Sequence, residues 1–156
     1  MPSTTMRPRI VRVAATAAVA AAGLTLSGCG MLASLQGGSV FTLEVGDCLA
    51  EPLGMTEISE IETAECSQPH ESEVFASVMM EDGEYPGDEA VATEAEETCM
   101  SEFETFVGMP YMESELDMDM LHPTQESWDS MDDREILCII YDPAGQTTGS
   151  LSGAAR

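Results

Sequence analysis

The chain has 156 residues, 29 acidic against five basic, and a formal charge of −24. Such a surface repels nucleic acid and anionic lipid headgroups, so neither is read as a partner. The length suits one small domain behind a leader and is too short for a two-lobed solute receptor.

Arg7, Arg9 and Arg12 make a positive start with no acid among them, and Val13 to Leu26 is an apolar run rich in Ala and Val. The run falls short of the roughly 20 strongly apolar residues a membrane span needs and suits an export signal. It ends in Leu26-Ser27-Gly28-Cys29, which resembles a lipobox. Residues 1–28 are therefore expected to be a lipoprotein signal peptide, with Cys29 the lipidated first residue of the mature chain. The thiol takes the diacylglyceryl group. Two acyl chains, palmitate among them, give lasting attachment where one would be marginal. The expected location is the extracytoplasmic face of the cell membrane. Removing the signal leaves all 29 acids but only Arg134 and Arg156 as cations, and no Lys, a formal charge of −27. The acid excess reads first as solubility or adaptation to salt, and otherwise as a basic partner or loosely held divalent cations.

Besides Cys29 there are four cysteines, Cys48, Cys66, Cys99 and Cys138. An even set in a small exported domain reads as two disulfides. Three connectivities exist; Cys48–Cys66 with Cys99–Cys138 is favoured. In the chain-entropy model these closures contribute roughly 3 and 4 kcal/mol. No CxxC spacing accompanies them, so a cysteine metal site is not expected.

Residues 29–39 read as the lipidated end and a tether. Val40 to Leu49 reads as a strand, Glu51 to Glu60 as a loop, and Ile61 to Cys66 as a strand before a break at Ser67-Gln68-Pro69-His70. Glu73 to Met80 alternates like a strand, with Val74, Ala76, Val78 and Met80 on one face. Asp88 is the expected N-cap of a helix from Glu89 to Val107, whose inward stripe is Val91, Ala95, Cys99, Phe103, then Phe106 and Val107. Gly108 stands where a helix ends. Because Cys99 points inward, it pairs with a strand cysteine. Met118 to His122 reads as a short strand, Pro123-Thr124 as a turn, and Gln125 to Asp129, with Trp128, as strand or loop. Asp132-Asp133 marks a hairpin, and Arg134 to Tyr141 a central strand apolar on both faces. Residues 143–156 read as a flexible tail. The fold class is α+β: a small antiparallel sheet with one main helix packed on it and two disulfides.

Several pieces together resemble a known family. They are Val45-Gly46-Asp47-Cys48-Leu49, Glu65-Cys66-Ser67-Gln68-Pro69-His70 with Glu73-Val74-Phe75, Cys99 with Phe103, Val107 and Gly108, Pro123-Thr124, Ser127-Trp128, and Asp133-Arg134 before Cys138. They are similar to the septum-formation domain family of secreted and membrane proteins in actinobacteria. The resemblance covers about residues 40–142. The family usually has Gly before the Asp-Arg pair; here Asp132 stands there. The resemblance implies a link to septum formation and defines no enzymatic activity.

Chemistry is sparse. His70 lacks an accompanying nucleophile motif and reads as structural, and His122 as a turn residue. Carboxylate pairs suited to glycoside cleavage are not distinguishable in so acidic a chain. Asp117, Asp119, Asp129, Asp132 and Asp133 are oxygen ligands without a calcium-loop pattern. Met79, Met80, Met109, Met112, Met118 and Met120 read as core filler or surface residues rather than copper ligands. Arg134 reads as a structural ion pair with Asp47 or Asp133. His70, Arg134 and Trp128 are the interaction or structural residues singled out. The expected function is a non-catalytic module for an envelope protein partner, with no cofactor, no metal and no small-molecule substrate. The alternative is a divalent-cation-binding surface lipoprotein.

Overall fold

A computed structural model describes residues 37–38, 40–53 and 61–156. The expected export signal, Cys29 and most of the tether lie outside the described residues. Strands β1 (Gly37–Gly38), β2 (Cys48–Leu49), β3 (Ile61–Ala64) and β4 (Ser72–Met79) precede helix α1 (Asp88–Val107). Strand β5 (Asp117–Leu121), helix α2 (Gln125–Met131) and strand β6 (Glu135–Tyr141) follow. The strands form one antiparallel sheet in the order β1-β3-β2-β4-β6-β5. The α+β expectation holds, with one main helix on the sheet.

The central strand β6 is apolar on both faces because each face covers a different core. Ile136, Cys138 and Ile140 meet the inward stripe of α1, together with Phe75, Ala76, Met80, Met118 and Trp128. Leu137 and Ile139 join Leu43, Leu49, Ile61 and Val74 on the other face. The disulfides are Cys48–Cys66 and Cys99–Cys138, with Cα separations of 5.3 and 5.4 Å. The second fastens α1 to β6 inside the helix-side core, where both cysteines are fully buried.

Local deviations have local causes. Only Cys48–Leu49 of the first expected strand pairs; Val40–Thr42 is a 3-10 turn. Strand β4 slips register between Val74 and Ala76, so Phe75 and Ala76 both reach the helix-side core while Val74 faces the opposite one. A bulge of this kind breaks the simple alternation read from the sequence. Gly87, not Asp88, is the N-cap of α1. The Asp88 carboxylate instead accepts from the Tyr85 hydroxyl at 2.6 Å, which pushes the tyrosine up to about 12.

Gln125 to Met131 is a helix rather than a strand or loop. Thr124 caps it: its side chain accepts from the Ser127 amide, and the Ser127 hydroxyl accepts from the Thr124 amide. The reciprocal pair satisfies two otherwise orphaned donors. The helix ends at Asp132, whose backbone is left-handed at φ 57°. Gly is the usual residue at such a position; Asp is among the few side chains that tolerate the conformation.

The largest correction concerns residues 143–156, which are packed rather than a flexible tail. Leu151 is buried in the helix-side core. Thr147 and His70 exchange main-chain hydrogen bonds in both directions. The carboxylate of Glu73, 3% exposed, accepts from the Ser150 hydroxyl at 2.7 Å and the Leu151 amide at 2.8 Å. The Gly153 and Ala155 amides donate to the Phe106 and Val107 carbonyls. They satisfy acceptors at the end of α1 that a helix cannot satisfy itself.

Candidate functional site

Of the residues singled out in the sequence, Trp128 and Arg134 come together and His70 lies apart. The Arg134 guanidinium stacks 3.7 Å above the Trp128 ring. Its Nη1 donates to the carbonyls of Trp128 at 3.1 Å and Asp133 at 2.8 Å. Its ion partners are Asp132 at 3.1 Å and Asp82 at 3.6 Å, not Asp47 and not the Asp133 carboxylate. Asp133 turns its carboxylate to Ser127 and the Glu135 amide, and Asp47 accepts from the Glu44 amide. Trp128 donates its indole N–H to the Gly83 carbonyl, tying α2 to the loop before α1. Arg134 and Trp128 thus clamp α2 onto the sheet, which is a structural task.

His70 is fully buried. Its Nδ1 meets the Gln68 carbonyl at 2.9 Å and its Nε2 the Thr147 hydroxyl at 3.1 Å. A hydroxyl beside an imidazole suggests a nucleophile and its base. Here the same two residues also exchange both main-chain bonds, so the contact continues a ladder that holds the C-terminal segment. His122 meets its neighbour, the Pro123 carbonyl, at 3.2 Å. Of the methionines, Met80 and Met118 are core residues, Met109 and Met120 pack against that core, and Met79 and Met112 are exposed. Among the described residues, no three His, Cys, Asp or Glu side chains are grouped to hold a metal ion. Nor is any described helix long and apolar enough to cross a membrane.

Among the described residues, a feature with binding geometry lies on the second face of the sheet, at one end of strands β4, β6 and β5. Register places Ser72 opposite Tyr141, Tyr141 opposite Asp117, and Ile139 opposite Asp119. Opposed residues in an antiparallel pair share a face. These side chains therefore continue the row begun by Val74, Leu137 and Ile139. Where that apolar row gives way to polar residues, a cavity of about 240 Å³ opens. Pro52, Leu53 and Ile139 supply its apolar wall, Ser72 and Tyr141 its hydroxyls, and Glu71, Asp119 and Asp142 its carboxylates.

The carboxylates differ. The Arg156 guanidinium, 2.6 Å from Asp142, holds that carboxyl below its ordinary range, helped by the Ala144 amide. Glu71 accepts from the Gln146 side chain at 3.0 Å. Asp119 is pushed upward by burial and by the neighbouring Asp117 charge. Asp117 itself is held down, chiefly by the Tyr111 hydroxyl at 2.6 Å and then by the Met118 amide. That bond, with burial and the Asp117 charge, pushes Tyr111 up to about 12. Tyr141 is raised by burial first, then by Asp117 and Asp119.

The tyrosine shift has a sign that can be checked. A group whose proton is held more tightly in the folded state gives stability that is complete below its unfolded value, near 10 for tyrosine, and lost as pH rises through the folded value. Denaturant melts between pH 10 and about 12 should therefore lose stability more steeply for the wild type than for Tyr111→Phe. Equal slopes would show that the Tyr111–Asp117 bond contributes nothing to the alkaline limb.

The cavity was hidden in the sequence because its residues come from separate segments. Asp117-Met118-Asp119 shows the period of two that puts both acids on one face, but not which strand they oppose. No curated protein and no solved structure matches the chain. The model of one family, described as septum formation, does match, over residues 45–156, so the packed C-terminal segment falls within the matched domain. The chain therefore belongs to the septum-formation domain family.

Proposed function

We propose that this chain is a lipid-anchored, extracytoplasmic, non-catalytic domain that binds another envelope protein during septum formation. The observation that carries the reading is family membership across residues 45–156, which ties the domain to a division and envelope role. Three further features support the finer parts. The Leu26-Ser27-Gly28-Cys29 sequence after an apolar run supports the lipid anchor on Cys29. Two disulfides suit an oxidising, extracytoplasmic setting. His70, Arg134 and Trp128 are each engaged in holding the fold, which supports a binding rather than a catalytic role.

Localisation tests this directly. A fusion to a fluorescent protein that matures outside the cytoplasm should concentrate at septa, and Cys29→Ala should abolish the enrichment. An even signal around the cell, with normal septa after deletion, would sink the division role.

A further inference from the structure

We propose that the cavity on the second face receives one lysine side chain from an exposed segment of the partner protein. Only the source of the lysine rests on the function proposed above; the site itself stands on its geometry.

Size comes first. Small-molecule sites usually enclose about 300–1,000 Å³. At about 240 Å³, this one suits a single side chain better than a cofactor. Its wall is mixed in the way an alkyl-stemmed cation needs. Pro52, Leu53 and Ile139 offer apolar surface to the methylenes, while Glu71 and Asp119 place negative charge around the head; the Asp142 carboxylate is paired with Arg156.

The wall also contains a group that the fold leaves unsatisfied. Ser72 lines the cavity at 3% exposure, and its hydroxyl has no hydrogen-bond partner among the described residues. Buried polar groups are normally paired, so an unpaired one beside a cavity marks a place for a donor. Asp119 has no ion-pair partner among the described residues and sits near Asp117, so an incoming positive charge relieves a standing repulsion. Asp142 already holds the Arg156 guanidinium at 2.6 Å, so this rim accepts a basic side chain within the chain itself.

Lysine fits better than the alternatives. Its ammonium is a compact charge with three separately directed donors, which suits oxygens spread over different strands. Arginine's planar fork prefers one bidentate carboxylate. A divalent ion needs clustered ligands, and no group of three is found among the described residues.

The test uses the full chain in detergent micelles with isotope-labelled isoleucine methyls. The probe is an acetylated Gly-Lys-Gly amide, compared with its norleucine counterpart. The lysine peptide should shift the Ile139 methyl saturably and the norleucine peptide should not. Asp119→Asn should weaken binding about tenfold, near 1.4 kcal/mol. Ser72→Ala should weaken it by a smaller factor, and Glu94→Gln on the exposed face of α1 should leave it unchanged. Three results would overturn the site: no saturation, equal response to both peptides, or no effect of Asp119→Asn. Saturation by Ca²⁺ alone would likewise replace it with a cation site. Failed peptide binding with septal enrichment intact would remove the cavity and leave the proposed function. Lost enrichment with binding intact would do the reverse.

Discussion

Replacing Cys99 and Cys138 together by Ala should lower stability by about 4 kcal/mol and the melting temperature by roughly 15 °C. The bridge joins positions 39 residues apart and is fully buried between α1 and β6. Without it, the unfolded chain regains the freedom that the closed loop removed. Phe103 and Val91 would remain to dock the helix, so the secondary structure of the mutant should survive longer than its tertiary packing. Breaking Cys48–Cys66, which spans only 18 residues, should cost about 3 kcal/mol in the same model. Thermal melts of both double mutants, with free thiols quantified in the wild type, check the ranking. A melt for the Cys99→Ala, Cys138→Ala chain that matches the wild type would refute the staple.

Glu73→Ala should cost about 3 kcal/mol and release the C-terminal segment. Two terms add. The buried Leu151 amide and the Ser150 hydroxyl lose their acceptor, about 1–3 kcal/mol for a donor left unpaired. Leu151 then leaves the core, forfeiting part of the roughly 1.5–3 kcal/mol that burial of such a side chain gives. Hydrogen exchange distinguishes this from a general loss of stability. The Thr147, Leu151, Gly153 and Ala155 amides should exchange faster than those of β6. Uniform acceleration across the domain would mean that Glu73 supports the sheet rather than the segment. Glu73→Gln keeps one acceptor oxygen and should show a smaller effect of the same pattern.

The parts of the fold legible in the sequence are those set by short-range pattern. The stripe of Val91, Ala95, Cys99, Phe103 and Val107 defines the buried face of α1, and it also orients Cys99 toward a strand. Alternation from Ile136 to Tyr141 identifies a strand covered on both sides. Most of the parts that escape depend on partners distant in sequence. Helix α2 is the exception: Gln125 to Asp129 reads as strand or loop because apolar periodicity is absent over so few residues, although the local Thr124–Ser127 capping pair marks a helix start. The glycines and polar residues of 143–156 resemble a tail because many of their interactions are main-chain bonds, to Cys66, His70, Phe106 and Val107, which leave no mark on composition. The site shows the same division. His70, Arg134 and Trp128 were visible as unusual residues, and the structure gives them structural work. Ser72, Asp119 and Asp142 were unremarkable until the register of β4, β6 and β5 set them around one cavity.

The docking of the C-terminal segment also orders events in time. Its contacts join residues 77 and 78 positions apart, at Glu73 with Ser150 and Leu151. Pairings so distant require long loop closures and slow the approach to the native state. The inward end of β4 and the last carbonyls of α1 both wait for that strand of chain. The fold therefore closes only once residues 147–155 are present to supply those contacts.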